Sequence, residues 1–288
     1  MNWVCIDGEL IPSNEAKISV WDHGLLYGDG LFETMRSYDG KVFALEKHLT
    51  RLRQGAALLK LKIDYEDAEL ERLIAETVRA NNISNAYIRL TYTRGSGPIG
   101  IDPDLCAKGC LIIMAKESNV PENLYRDGIE LAICPVVRNH STALPPSIKS
   151  LNFLNNILAK LWAKEQGITE ALMLNQDGFI SETTVSNIFF VKKGKIFTPS
   201  LASGILPGVT RDYIIEVALS AGYAVEQGLY QPEELFIAEE IFLTNSGSEV
   251  IPVKLLNNKP LGGGTPGKVT TRIHDLFSIR LKQTLNLN

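Results

Sequence analysis

The chain is 288 residues long, 45% hydrophobic and 22% charged, which supports one large core or two smaller ones and excludes a disordered or fibrous protein. Its formal net charge of −4 gives no broad positive field, which argues against nucleic acid or an anionic membrane surface as main partner. A small-molecule substrate is the expectation that remains.

In chain order, residues 3–6 and 9–11 read as strands joined by Asp7-Gly8, and residues 31–38 and 41–45 as strands joined by Asp39-Gly40, two hairpins with left-handed turn residues. Apolar residues at helical spacing follow over 46–61 (Leu49, Leu52, Ala56, Leu59) and 67–80 (Leu70, Leu73, Ile74, Thr77, Val78), so two amphipathic helices on a sheet are expected. Strand signals return at 87–93 and 110–115. The polar segment 118–128, with Pro121 and Gly128, reads as a linker between a small domain (1–117) and a larger one (129–288). The larger part then reads as a strand over 129–137, a Pro-rich turn, a helix over 151–166 stopped by Gly167, and strands 170–175 and 187–192 connected through Gln176-Asp177-Gly178. Helices near 210–220 and 232–239, a strand at 241–245 and a final helix over 268–285 complete it.

The segment 1–17 carries Asp7, Glu9, Pro12 and Glu15 where a secretory signal needs a basic start and an apolar run, and stretches such as 111–115 are too short to cross a bilayer, so a cytoplasmic protein is expected. Cysteines 5, 106, 110 and 134 and histidines 23, 48, 140 and 274 have no metal-ligand spacing, which predicts packing thiols and no metal site. Two glycine motifs lack their context. Gly95-Ser-Gly97-Pro-Ile-Gly100 is followed by Pro103 where a dinucleotide fold needs a long helix. Residues 262–268 end in Lys268-Val269 where a nucleotide-hydrolase loop needs a serine or threonine, so a turn before the last helix is expected.

Pro145-Pro146-Ser-Ile-Lys149-Ser150-Leu-Asn places a lysine before a helical pattern, with Ser147 or Ser150 as the expected N-cap. A lysine acting as a nucleophile needs a lowered pKa, and burial at the positive end of a helix supplies one. Around it lie Tyr27-Gly-Asp-Gly-Leu-Phe-Glu-Thr-Met-Arg36, His48-Leu-Thr-Arg51-Leu, Ser181-Glu182-Thr-Thr-Val-Ser-Asn187, Gly204-Ile-Leu-Pro-Gly-Val-Thr210-Arg211 and Thr244-Asn-Ser-Gly-Ser-Glu-Val-Ile-Pro252. Six motifs in this order, spanning nearly the whole chain, resemble fold-type IV pyridoxal-phosphate enzymes: the branched-chain aminotransferases, D-amino-acid aminotransferases and aminodeoxychorismate lyases.

The resemblance implies an α+β, two-domain fold, with a small N-terminal α/β sandwich and a larger, β-barrel-like C-terminal domain carrying helices. It implies a homodimer and pyridoxal 5'-phosphate as cofactor. Carried over by motif, Lys149 is similar to the Schiff-base lysine, which is also the proton carrier at the substrate Cα. Glu182 resembles the carboxylate that faces the pyridine nitrogen. Arg51, the Gly208-Val209-Thr210 helix start and Ser246-Gly247 resemble the phosphate site. Tyr27, Phe32, Thr34, Tyr87 and Arg89 match substrate-pocket positions, and Tyr87 and Arg89, two apart on a strand, share a face on which a carboxylate can be held.

The resemblance implies transfer of an amino group from a branched-chain or other apolar L-amino acid to 2-oxoglutarate. The alternatives are an aminodeoxychorismate lyase releasing pyruvate and a D-amino-acid aminotransferase. Thr34 stands where branched-chain enzymes often have glycine and the lyases tend to carry threonine. Phe153 stands near a family tyrosine whose hydroxyl bond it cannot make. Residues 96–101 lack the arginine and histidine of the D-specific enzymes.

Overall fold

The structure is a computed structural model that describes residues 2–262 and 266–287. Its contacts divide the chain into two compact units.

The first unit comprises the described residues up to Asn119 together with Ile148–Asn152. Its elements are β1 (Trp3–Ile6), β2 (Glu9–Pro12), α1 (His23–Tyr27), β3 (Gly30–Tyr38), β4 (Lys41–Val42), α2 (Leu45–Leu58), α3 (Asp67–Ala80), β5 (Ala86–Thr93) and β6 (Cys110–Glu117). Among the described residues they make a six-stranded antiparallel sheet in the order β2-β1-β6-β5-β3-β4. Both expected hairpins form, with Asp7, Gly8, Asp39 and Gly40 all at positive φ, the conformation that matches strand twist. Leu31 and Met35 of β3 and Ile88, Leu90 and Tyr92 of β5 face Leu49, Leu52 and Ala56 of α2 and Leu70, Leu73, Ile74 and Val78 of α3 in one buried core. The opposite face of β3 and β5 carries Phe32, Thr34, Tyr87 and Arg89.

The second unit, Val120–Ser147 with Phe153 to the last described residue, contains α4 (Glu122–Asp127), β7 (Ile129–Ile133), α5 (Leu154–Glu165), β8 (Glu170–Leu174), β9 (Ile180–Thr183), β10 (Asn187–Lys192) and β11 (Lys195–Pro199). It continues with α6 (Val209–Ser220), β12 (Val225–Gly228), α7 (Glu233–Phe236), β13 (Glu240–Asn245), β14 (Glu249–Leu256), β15 (Lys259–Pro260) and α8 (Lys268–Leu285). The strands run β12-β11-β10-β13-β14-β7-β8-β9, with β15 on β14, in a sheet curled into a half-barrel. Pairs β11–β12, β14–β7 and β7–β8 are parallel and the others antiparallel. Leu131, Leu172, Ile180, Ile188, Phe190, Leu243 and Val253 fill its core.

Several elements differ from the sequence expectation. Within 118–128, read as a linker, residues 122–127 form α4, because Pro121 and Gly128 end a turn whose Leu124 packs on the second unit's core. The five residues Ile148–Asn152 group with the first unit although the chain on both sides belongs to the second. Strands β9, β11, β12 and β14 lack a distinct sequence signal; three of them make parallel or long-range pairs whose partners are remote in sequence. The glycine-rich segment 262–268 lies in part outside the described residues. The first amides of α8, at Val269 and Thr270, donate to the Glu240 carboxylate.

Candidate active site

In the first unit, β3 holds Lys149 by its backbone. Phe32 N donates to Lys149 O at 3.0 Å, Leu151 N donates to Gly30 O at 3.0 Å, and Leu31 bridges Ser150. These bonds correct the expectation of a lysine at a helix mouth. With residues 149–151 committed to β3, α5 starts only at Leu154, with Phe153 at the N-cap position and no side-chain cap from Ser147 or Ser150.

The neighbouring side chain in that setting is Phe32. The Nζ of Lys149 lies 4.4 Å from the Phe32 ring centroid and the guanidinium carbon of Arg89 lies 3.8 Å from it. Arg89 sits opposite Thr34 across the β3–β5 ladder, and Tyr87 opposite Arg36, so Thr34, Tyr87 and Arg89 share one face. Burial pushes the Arg89 guanidinium down from its usual value, and among the described residues no carboxylate pairs with it. A desolvated arginine stacked on an aromatic ring is a ready receptor for a carboxylate. Tyr27 is engaged elsewhere. Its hydroxyl accepts from Gly100 N at 3.0 Å and its ring packs edge-on against His23, whose Nε2 donates to Pro98 O at 3.0 Å. This ties α1 to the 95–100 segment, after which comes one 3-10 turn at Pro103–Leu105 instead of a phosphate-facing helix.

On the other face of β3, Glu33 is fully buried beside Arg51 and His48 of α2. Arg51 Nε donates to Glu33 Oε1 at 2.8 Å and Arg51 Nη2 to Oε2 at 2.6 Å, while His48 Nδ1 donates to Oε2 at 2.7 Å. Burial alone would raise the Glu33 carboxyl, but the Arg51 charge and the bonds from Arg51 and His48 outweigh it and lower it to about 2. Burial also lowers His48, against the pull of Glu33 and with further lowering from the charges of Arg51 and Lys149, so His48 is neutral with its proton on Nδ1.

The second unit carries the other half of the motif residues. Glu182, on β9, is buried; its Oε1 accepts from Arg138 Nε at 3.1 Å and pairs with Arg138 Nη2 at 3.0 Å. Its Oε2 accepts from Asn187 Nδ2 and from Leu206 N, each at 3.1 Å. Arg138 also donates to Asn155 Oδ1 on α5 at 3.3 Å. Close by in sequence, Gly208 is the N-cap of α6, and no side chain caps that helix, so the amides of Val209 and Thr210 begin the helix as open donors. A Cβ at Gly208 would run into Asn187 Oδ1, so glycine is required there. Thr210 Oγ1 and Ser246 Oγ are 3.3 Å apart, which joins the α6 start to the β13–β14 turn. Asn245 Oδ1 accepts from Gly247 N and Ser248 N, both at 2.8 Å, and thereby fixes that turn. The hydroxyl of Thr244, just before it, is buried and has no hydrogen-bond partner among the described residues.

The first unit's lysine amine and, in the second unit, a buried carboxylate held by several donors, an uncapped helix start and hydroxyls are each groups whose chemistry fits pyridoxal 5'-phosphate. Sequence reasoning gave no role to three residues that hold these groups, Glu33 and His48, which stand in the quoted motifs, and Arg138. Glu33 carries a readable signal, since a carboxylate between Leu31 and Met35 interrupts the apolar face of a strand. Arg138 stands in a segment with no periodicity and carries none.

The family model described as amino-transferase class IV matches residues 30–256. A putative branched-chain-amino-acid aminotransferase of Methanocaldococcus jannaschii is 39% identical over 280 residues, covering 97% of this chain and 96% of that one. Among solved structures, the Escherichia coli branched-chain amino acid aminotransferase matches with a TM-score of 0.92 at 31% identity, over 95% of this chain and 92% of that one. The branched-chain amino acid aminotransferase from Thermobaculum terrenum, in its PLP-bound holo-form, matches with a TM-score of 0.87 at 27% identity, over 98% of this chain and 94% of that one.

Proposed function

The chain belongs to the class IV aminotransferase family, and from that membership we propose that it moves the amino group of a branched-chain or other apolar L-amino acid to 2-oxoglutarate, with pyridoxal 5'-phosphate as cofactor. The observation that carries the reading is the Phe32 ring with both Lys149 and Arg89 against it, an amine and a carboxylate receptor on one apolar surface.

When bound, the cofactor supplies an aldehyde carbon that exchanges with amines and a ring that accepts the electron pair released at the substrate Cα. Lys149 is the catalytic residue: its amine would hold the cofactor's aldehyde carbon and would carry the proton to and from the substrate Cα. Glu182 holds the pyridine nitrogen in its protonated form. Arg51, the amides of Val209 and Thr210 at the Gly208 turn, and the Ser246-Gly247 turn hold the phosphate. Arg89, with Tyr87, orients the side-chain carboxylate of glutamate or 2-oxoglutarate, and Phe32 with Thr34 gives the same surface an apolar part for a branched side chain. Tyr27 fixes the 95–100 segment at the rim.

The finer reading includes a homodimer acting in the cytoplasm. Leu154, Ile157, Leu158 and Leu161 form an exposed apolar stripe at helical spacing on α5, which supports burial against a second copy. The four free cysteines suit a reducing compartment, and among the described residues no helix is long and apolar enough to cross a membrane.

The test is a panel of L- and D-amino acids with 2-oxoglutarate, run beside an assay of pyruvate release from aminodeoxychorismate. Transfer from L-leucine or L-valine supports the reading. Pyruvate release without transamination overturns it.

A further inference from the structure

An arginine that grips an anion with both teeth of its fork uses two adjacent N–H groups on one edge of the guanidinium. In Arg51 the Nε and Nη2 edge is already spent on Glu33, at 2.8 and 2.6 Å, on a side chain that is fully buried. His48, one helical turn before Arg51 on α2, holds the same carboxylate from another side at 2.7 Å. In the trio one carboxylate takes donors from one guanidinium and one imidazole. Both carboxylate oxygens are bonded, so Glu33 cannot turn without breaking at least two charge-assisted bonds. Glu33 is also fixed along the chain: its neighbour Phe32 donates its backbone N–H to Lys149 O. One short piece of β3 thus sets the place of the lysine by its backbone and of the arginine by a side chain.

We propose that Glu33 is the positioning residue of the phosphate site: it keeps the Nε and Nη2 edge of Arg51 as its own permanent partner, so that Arg51 meets the cofactor phosphate from the remaining side of the guanidinium and in one fixed orientation. The inference rests on the assignment of Arg51 to the phosphate made above.

The test takes the dissociation constant of unphosphorylated pyridoxal from the apo-protein and divides it by that of pyridoxal 5'-phosphate, because this ratio isolates the phosphate contribution. Arg51→Lys keeps the charge and removes the planar donor set, and should lower the ratio at least about tenfold, the scale of one charge-assisted hydrogen bond. Glu33→Asp keeps the carboxylate but withdraws it by one methylene, and should lower the ratio by a similar factor. The double variant should go no lower than Arg51→Lys alone, since Glu33 acts through Arg51. A purely structural role for Glu33 would reduce the melting temperature and leave the ratio within about twofold of the parent, comparable to ordinary non-additivity errors. If Arg51→Lys lowers the ratio and a folded Glu33→Asp does not, the inference is overturned while the phosphate assignment stands. If Arg51→Lys leaves the ratio unchanged, the assignment itself fails and the inference with it. A measurement on the unaltered chain covers the case of a variant that does not fold: the Arg51 Nε–H resonance should keep its position and its slow solvent exchange when pyridoxal 5'-phosphate is added. A large shift of that resonance on addition would show the phosphate taking the Nε edge and overturn the proposal.

Discussion

The Arg89 guanidinium carbon lies 3.8 Å from the centroid of the Phe32 ring, within cation–π reach, and among the described residues no carboxylate pairs with this partly desolvated arginine. Arg89→Ala is therefore expected to raise KM for glutamate and 2-oxoglutarate by about tenfold or more, the scale of about 1.5–3 kcal/mol for a charged hydrogen bond. KM for leucine should change by no more than a few-fold. Steady-state kinetics with both substrates checks this, and equal effects would remove Arg89 from carboxylate recognition.

Arg138 and Glu182 form a buried ion pair, with Nη2 and Oε1 3.0 Å apart. Removing one partner of such a pair leaves the other charge uncompensated, so Arg138→Met is expected to destabilise the apo-protein by about 3–5 kcal/mol. The double variant Arg138→Met/Glu182→Gln should recover most of that loss, because no lone charge remains. Urea denaturation of the parent, Arg138→Met, Glu182→Gln and the double variant, all as apo-proteins, measures it; additive losses would contradict the pairing.

Gly208 leaves no room for a methyl group because Asn187 Oδ1 stands in its place. Gly208→Ala must push Asn187 aside, and Asn187 is a donor to Glu182. A stability loss of about 1–3 kcal/mol is expected from the overpacking, with weaker retention of pyridoxal 5'-phosphate in equilibrium dialysis. Unchanged retention would separate the α6 start from the cofactor.

Acid stability follows from Glu33 and His48. Folding lowers the Glu33 carboxyl from 4.5 to about 2, so its contribution is complete above 4.5 and is lost as pH falls towards 2, when the unfolded chain takes up the proton first. The full loss is on the order of 3 kcal/mol. His48 is lowered from 6.5, so the unfolded chain also binds this proton at the higher pH, and stability declines as pH drops below 6.5. Both effects have the same sign. Urea unfolding of the apo-protein from about pH 7 to about pH 3 should show this decline, and it should be smaller in Glu33→Gln/Arg51→Met. An equal decline in both proteins would remove the trio as its source.

The exposed stripe Leu154, Ile157, Leu158 and Leu161 on α5 predicts an oligomer sensitive to charge. Leu158→Glu should shift the protein towards monomer in sedimentation velocity, while a parent chain that is already monomeric at micromolar concentration would refute the homodimer.

Much of this was legible in the sequence where the deciding interactions are local. The Asp-Gly turns, the apolar spacing of α2 and α3, and the Tyr87–Arg89 face depend on neighbours within a few residues. The setting of Lys149 was misread because its backbone bonds go to β3, far earlier in the chain, and override the capping preference of Ser147 and Ser150. Glu33 could have been found as a charge on an apolar strand face. Its partners could not, since a strand pattern does not say which helix side chains lie beneath it. Arg138 and the parallel pairs β14–β7 and β7–β8 depend on contacts between remote segments with no local pattern.

Lys149 carries the chemistry in this reading of the site, and borohydride reduction of the loaded protein followed by intact mass, on the parent chain and on Lys149→Ala, tests that role without an intermediary. In the parent, the visible absorbance should bleach and a covalent phosphopyridoxyl mass should appear; Lys149→Ala should show neither that mass nor measurable turnover. Full turnover by Lys149→Ala, or the same added mass on it, would place the chemistry on another residue.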